Sequence, residues 1–243
     1  ASVNSSMLAD AKTLQAADII VKSYFELSPG VVGFGDQLES RQEIIAARVW
    51  EFYSVVRSEK RKDSLLAKLK LVQPGYPFYG RVELKSGREF DSVLTPGSTI
   101  VAQNLLDNLG LVVGDDLHIG STTLTIKDVV LREPDQPVNL FLLGPRIFIA
   151  AEDLPALDLV KKGSRVEFKY LIKVSDERNL QAVADQLKSL AGPDQERVDT
   201  YRTARSRIKR FFDNLFFFLS LISIFTLLLA GIGIQSALTA FLK

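Results

Sequence analysis

His118 is the only histidine in a chain of 243 residues that contains no cysteine. That inventory excludes disulfides, zinc–thiolate sites and a cysteine nucleophile. As a metal ligand His118 has no histidine or cysteine company. As a general base it would need a nucleophilic serine, and no G-x-S-x-G elbow occurs. Asp115 and Asp116 could in principle form a carboxylate dyad. In Val113-Gly114-Asp115-Asp116, however, they read as turn chemistry. There is no G-x-x-x-x-G-K-[ST] loop to cradle a nucleotide phosphate, and Gly231-x-Gly233 lies inside an apolar run rather than after a strand. The expectation is a chain with no catalytic residue, no metal ligand and no cofactor of its own.

The elements that surround these residues alternate between strand and helix patterns. Residues 4–16 repeat apolar positions at helical spacing, and Asn4-Ser5-Ser6 matches a glycosylation sequon. Asp18–Lys22 reads as a short strand. Ser28-Pro29-Gly30 and Gly33-Phe34-Gly35 read as a loop, after which Asp36 and Glu39 have capping-box spacing for a helix over about 37–48. Trp50–Val56 and Leu65–Val72 are strands, the second alternating as a half-buried one. Gln73–Gly80 holds two prolines and two glycines and reads as a crossing between sub-domains. Beyond it come a strand Arg81–Lys85, a strand at Ile100–Val101, a helix Gln103–Leu109 stopped at Gly110, and strands Leu117–Ile119 and Leu124–Ile126. Arg132–Gly144 is loop-like, Arg146–Ala150 a strand, and Asp153 the cap of a short helix. Val166–Val174 is the clearest strand, with Val166, Phe168, Tyr170, Ile172 and Val174 on one face and Glu167, Lys169 and Lys173 on the other. Ser175 then caps a helix whose stripe is Leu180, Val183, Ala184, Leu187 and Leu190, stopped by Gly192-Pro193, and a short strand follows at Arg197–Asp199.

Asn214–Leu242 carries no charged side chain over 29 residues. A helix crossing about 30 Å of hydrocarbon needs about 20 such residues. The alternative, a buried core helix, usually carries a charge on one face. The run therefore predicts a membrane helix, entered directly from the preceding domain because no proline or glycine interrupts Tyr201–Ala230. Ser223, Thr226, Ala230, Gly233, Ala237 and Ala240 fall at spacings of three and four and form one face of small residues, a packing face toward other membrane helices. Against 30 Lys plus Arg stand 29 Asp plus Glu, and only one of each sign lies beyond residue 210. So balanced a domain is not expected to bind nucleic acid. Arg202, Arg205, Arg207, Lys209 and Arg210 precede the run, and the positive-inside rule alone would put that end in the cytoplasm. The chain begins at Ala1 and reads as a piece of a longer membrane protein, or a processed one.

Four stretches in this order resemble the permease subunits of MacB/FtsX-like ABC transporters, and within them the branch ascribed to lysophospholipase biosynthesis. They are LQAADIIVKS (Leu14–Ser23), PFYGRVEL (Pro77–Leu84), LLDNLGLVVGDDLHIGSTTLTIKDVV (Leu105–Val130) and FFDNLFFFLSLISIFTLLLAGIGIQSALTAFL (Phe211–Leu242). The resemblance implies an α+β, two-lobed extracytoplasmic domain followed by a transmembrane helix. Residues 1–75 and 163–205 would form a mixed α/β porter-like lobe, 80–160 a mostly β sabre-like insertion, and 206–243 the stalk and membrane helix. It further implies a place in the cytoplasmic (inner) membrane with 1–205 outside the cytoplasm, against the basic cluster. The implied partners are a separate cytoplasmic ATPase subunit that holds the ATP, the other membrane helices of the same permease, a second permease copy, and lipid.

Three functions compete: a transport subunit that passes motion from ATP hydrolysis to the outer face, an FtsX-like regulator of an extracytoplasmic cell-wall hydrolase, and a membrane-tethered enzyme. Scarce histidine and absent cysteine speak against the third. Residues 1–205 are expected to turn over neither acyl nor phosphoester substrates. Turnover that is lost on His118→Ala would overturn this.

Overall fold

The computed structural model describes residues 12–58, 60, 63–135, 144–161, 163–192 and 195–241. Most of the helix expected over 4–16, and the Asn4 sequon, lie outside them. The described residues through Tyr201 belong to one compact unit and those from Arg202 onward to a second.

The first unit is built on a ten-stranded mixed sheet. In chain order the strands are β1 (Ile19–Ser23), β2 (Ile44–Arg57), β3 (Ser64–Val72), β4 (Glu83–Leu84), β5 (Ser98–Ala102), β6 (Asp116–Ile119), β7 (Thr122–Arg132), β8 (Arg146–Ala150), β9 (Glu167–Val174) and β10 (Glu196–Thr200). They lie in the order β10-β1-β9-β2-β3-β8-β5-β7-β4, with β6 bridging β2 and β7. All neighbours are antiparallel except β3–β8 and β5–β7. β2 is the longest strand, and three neighbours share it: β9 along Ile44–Glu51, β6 at Val56–Arg57, and β3 from Val49 to Arg57. The expected mixture of strands and helices in an α+β fold is what the chain forms.

The sheet is covered on both faces. Tyr170, Ile172 and Val174 of β9 pack with Ile19 and Val21 beneath two helices, α1 (Pro29–Ser40) and the helix Leu180–Leu190. Their neighbour Leu171 points the other way, into a core with Val49, Val72, Tyr76 and Phe148. A third core gathers Leu69, Leu71, Leu105, Leu109, Leu117 and Ile147. The half-buried reading of Leu65–Val72 therefore holds only for its first residues; from Leu69 to Val72 every side chain is buried.

The block Ser98–Ile119 follows its sequence signals closely. The short helix α2 (Phe90–Val93) precedes β5, and β5 leads without a gap into α3 (Gln103–Leu109). Gly110 ends α3 at φ 60°, ψ 36°, the left-handed conformation in which glycine meets no steric penalty.

Residues 28–48 overturn the loop-then-helix expectation. α1 starts at Pro29 and ends at Ser40, and Ile44–Arg48 are strand. Pro29 lies in the first helical turn, where its missing N–H costs nothing and its fixed φ suits the helix. Ser28 is the N-cap residue; its N–H and hydroxyl both donate to the Glu196 carboxylate, at 2.6 and 2.9 Å. Gly35, which looked like a loop residue, is buried, and a Cβ built there would lie 2.2 Å from Tyr170 Oη. Its glycine serves close packing of helix on sheet. Asp36 is thus mid-helix rather than a cap. The cap of the next helical segment also moves by one residue: Asp176, not Ser175, accepts the Arg178 N–H, and the Ser175 hydroxyl donates to the Gln42 carbonyl. Asp153 stands at the N-cap of α4 (Leu154–Leu157), but its carboxylate accepts the Gly97 N–H instead. The strand expected over Arg81–Lys85 shrinks to Glu83–Leu84, and that over Leu124–Ile126 grows to Thr122–Arg132.

After α5 (Leu180–Leu190) and β10, α6 runs Tyr201–Phe241 as one helix. Asn214–Ile234 is long and apolar enough to cross a membrane, and none of it is buried.

Gly35→Ala should cost about 1–3 kcal/mol, the usual range for overpacking a filled core. Tyr170→Phe alone should be neutral or stabilising, because the buried Tyr170 hydroxyl has no hydrogen-bond partner among the described residues. Urea unfolding of the chain in detergent micelles, followed by tryptophan emission, measures both.

Candidate functional site

The first notable site lies where β1 starts and β10 ends. β1 and β10 are antiparallel, with Ile19 opposite Thr200, so Asp18 and Tyr201 are brought side by side. The Tyr201 N–H donates to the Asp18 carbonyl at 3.1 Å, and the Asp18 N–H donates to the Ile172 carbonyl at 3.0 Å. The Asp18 side chain, 1% exposed, is held from three further directions. Its Oδ2 accepts the Tyr79 hydroxyl at 2.8 Å and the Val174 N–H at 3.0 Å; its Oδ1 lies 3.1 Å from Lys12 Nζ.

Lys12 extends the cluster to Glu177 at 3.2 Å, and its ammonium stands 5.2 Å from the Tyr79 ring centre and 4.8 Å from that of Tyr201. The Tyr201 hydroxyl donates to Glu177. Gln15 Nε2 donates to the Asp199 carbonyl at 3.0 Å, and the Phe78 N–H to the Ala16 carbonyl at 3.0 Å. Burial would lower the Lys12 pKa, but the hydrogen bond and charge of Asp18 outweigh it and the ammonium is held above its usual range. Burial, and then the hydrogen bond to Asp18, push the Tyr79 phenol up to about 12. Lys12 is thus held as an ammonium and Tyr79 as a neutral phenol at physiological pH.

The second site is an ionic cluster on the sheet face opposite α1 and α5. Glu51 of β2 sits directly across from Lys70 of β3. Its carboxylate meets Lys68 at 2.5 Å, Lys169 at 2.5 Å and Lys70 at 3.6 Å. Lys70 continues to Asp135 at 2.7 Å, Glu133 at 3.3 Å and the Tyr76 hydroxyl at 2.6 Å, and Arg146 pairs with Glu133. The Tyr76 hydroxyl donates to Asp135 at 2.5 Å. Aromatic rings wall the cluster, with Tyr76, Phe90 and Phe148 in mutual contact at 5.3–6.4 Å. Burial would raise the Glu51 pKa, but Lys169, Lys70 and Lys68 together hold the carboxyl well below the usual range. Burial likewise opposes ionisation of Asp135, and Lys70 overcomes it. Against its burial, Lys70 is held above the ordinary lysine range by Tyr76 and Asp135. A lysine so held is neither a general base nor a nucleophile at neutral pH.

The residues singled out from the sequence stay local. His118 Nδ1 lies 2.9 Å from Thr123 Oγ1 across the β6–β7 hairpin. Asp115 accepts the Val112 N–H and Lys60, and Asp116 accepts the Thr125 hydroxyl. Among the described residues no three metal-ligating side chains converge. In α6 the hydroxyls of Ser223 and Thr226 bond the carbonyls of Leu219 and Ile222, each 2.9 Å away. A Cβ at Gly233 would meet open space, Ala230 is exposed, and the side chains of Ala237 and Ala240 lie outside the described ones. Sequence reasoning missed both charge clusters. The available signal was Asp18 standing directly before an apolar strand, and lysines placed opposite glutamate on strands rich in leucine.

No protein-family model matches the chain. Over 107 residues, 43% of its length, it is 35% identical to an uncharacterised ABC transporter permease, YbbP, of Escherichia coli (strain K12); the stretch spans 13% of that relative. The periplasmic region of MacB from Actinobacillus actinomycetemcomitans has a similar fold, with a TM-score of 0.54 and 13% identity over 81% of this chain and 95% of that one. The extracellular domain of the noncanonic ABC-type transporter YknZ from Gram-positive bacteria gives 0.50 and 10%, over 75% and 100%. The expected fold is therefore borne out: it is that of MacB-type extracytoplasmic domains, with an apolar helix after it.

Glu51 and Asp135 carry lower pKa values in the folded chain than in the unfolded one. Their stabilisation is complete above the unfolded carboxylate values of about 4, and it is lost as pH falls through the depressed folded values. Stability should therefore be flat through neutral pH and fall steeply below about pH 4. Glu51→Gln, which leaves three lysines facing an amide, should cost about 3–5 kcal/mol at pH 7 and flatten the acid limb. Urea unfolding at stepped pH reads both.

Proposed function

We propose that this chain is the extracytoplasmic domain of an ABC transporter permease. It would couple ATP hydrolysis by a separate cytoplasmic subunit to export or extraction of a substrate at the outer face of the cytoplasmic membrane. The observation that carries the reading is the clasp at Asp18. It fixes the incoming chain to Tyr201, the first residue of a 41-residue helix with an apolar run of membrane-crossing length. A helix without proline or glycine up to Ala230 has no sequence-encoded kink, so tilt applied in the membrane would be delivered at Tyr201. A buried, multiply hydrogen-bonded carboxylate would transmit such a displacement to three other segments at once, those of Lys12, Tyr79 and β9.

The proposal includes the lobes named above, 1–75 with 163–205 and 80–160, whose seam would be the parallel pairing of β3 with β8 and the short antiparallel pairing of β2 with β6. It also takes Ser223, Thr226, Ala230, Gly233, Ala237 and Ala240 as the face that packs on other helices of the permease. Because Ser223 and Thr226 satisfy their hydroxyls on their own backbone, that face can pack by close van der Waals approach without needing a polar partner. The partners would be the ATPase subunit, a second permease copy and lipid, with ATP bound only on the ATPase. Full protonation of Lys70, the most buried lysine, supports a chain without chemistry of its own.

Inserting Gly-Gly after Arg207 tests the lever. In cells lacking the native permease, transport should fall about 5- to 150-fold, the span of ordinary coupling free energies, while the ATPase still co-purifies. Full-strength transport from the insertion variant would overturn the reading.

A further inference from the structure

A cavity of about 240 Å³ opens on the α1 side of the sheet, lined by Glu26, Leu27, Val32, Arg48, Trp50 and Phe168, with Val49 and Lys169 beneath. Trp50 and Phe168 are directly paired across β2 and β9 and form its floor. Ser23 is paired with Phe168 from the other side, so β1 ends at the cavity, and the two residues that follow, Tyr24 and Phe25, are 60% and 62% exposed. Two adjacent aromatic side chains in water beside an aromatic-floored cavity are costly unless something covers them.

Size and charge decide what that is. Pockets for small ligands run to about 300–1,000 Å³, so this one is too small for a lipid or drug-sized molecule but holds one large side chain. Aromatic residues and arginine around a single anchor pocket are the composition of a protein–protein hot spot. Of the two cations at the cavity, Lys169 is taken by Glu51 at 2.5 Å. The Arg48 guanidinium stands 5.9 Å from the Tyr170 ring centre, and its one carboxylate contact among the described residues is a loose one with Asp36, at 3.8 Å, with 38% of its side chain and 61% of that of Asp36 in water. It can therefore take a new carboxylate. Glu26, on the rim, would repel an anionic head group but can accept backbone N–H groups, which a polypeptide supplies and a lipid does not.

We infer that this groove docks a partner protein through an extended segment with one large apolar side chain next to an aspartate or glutamate. The apolar side chain fills the space over Trp50 and Phe168, the acid pairs with Arg48, and Tyr24 and Phe25 close over the segment. The inference rests on the groove alone and is independent of how the membrane helix works.

Trp50 is the only tryptophan of the chain, which makes the groove its own reporter. The full chain, held in a non-ionic, tryptophan-free amphipol, is used to select a phage-displayed heptapeptide library. The most enriched sequence is then synthesised without tryptophan and titrated against Trp50 emission. Enriched peptides should carry a large apolar residue beside an acid, shift the emission, and bind Arg48→Glu at least about tenfold more weakly, while Arg48→Glu selects lysine- or arginine-bearing peptides instead. Arg48→Gln, which removes the charge without reversing it, should weaken the acidic peptide and keep the native emission, separating lost recognition from lost fold. Four outcomes would each overturn the proposal. The enriched peptides could lack an acid; their binding could be indifferent to Arg48→Glu; lysophosphatidylglycerol could shift Trp50 emission in an Arg48-dependent way when no peptide does; or the chain could self-associate in an Arg48-dependent way, which would assign the groove to a second copy.

Discussion

A carboxylate removed from water must be met by charge and by hydrogen-bond donors, or it will not stay ionised. At Asp18 the donors are a phenol, a strand amide and an ammonium, and each belongs to a different stretch of chain. None of these stretches can shift alone without leaving the carboxylate short of a partner. That requirement is what sets β1 against β9 and β10, draws the Gln73–Gly80 crossing back onto the first residues of the domain, and fixes the point at which α6 begins. Buried ion pairs of this kind add little net stability over an apolar replacement, since desolvation consumes most of the Coulomb gain, yet removing one partner is costly because it strands the other.

The cluster around Glu51 obeys the same rule on a larger scale. Four cations and three carboxylates lie on or beside one sheet face under aromatic cover. Its members come from β2, β3, β8 and β9 and from the segment after β7, so it spans the middle of the sheet. A register slip of one residue in β3 would turn Lys70 toward the leucine core and Leu69 or Leu71 toward Glu51. The charges thus specify the register that the hydrophobic pattern alone, being apolar on both faces near Val72, would leave open.

Much of the fold was legible in the sequence because local signals and tertiary packing agreed there. α3 with its glycine stop, β3, β5, β8, β9 and β10, and the helix from Tyr201 all follow from periodicity and caps. The stretch Pro29–Ser40 was not legible: glycine at three of twelve positions points locally to a loop, and only the approach of the Tyr170 ring shows why one of them belongs in a helix. The charge clusters were invisible for a different reason. Lys12, Asp18, Tyr79, Glu177 and Tyr201 are scattered over the whole domain, and a lysine alternating with leucine on a strand signals a solvent face. Which lysines lose their solvent depends on the strand order, and alternation carries no information about that.

β2 has fourteen residues and spans about 45 Å at the usual rise per residue. It is hydrogen-bonded to β9 near one end, to β6 near the other and to β3 across most of its length. A domain divided by a flexible loop opens like a door, by changing a few backbone angles. Here one unbroken strand is bonded to β9 and β6 along one edge and to β3 along the other, and opening by that route would break ladder bonds along it. Were the proposed load to enter at one end of such a sheet, it would be carried as added twist, spread over many residues and returned when the load is removed. The mechanical analogue is a leaf spring, whose stiffness is set by the number of strands bonded side by side rather than by any single joint.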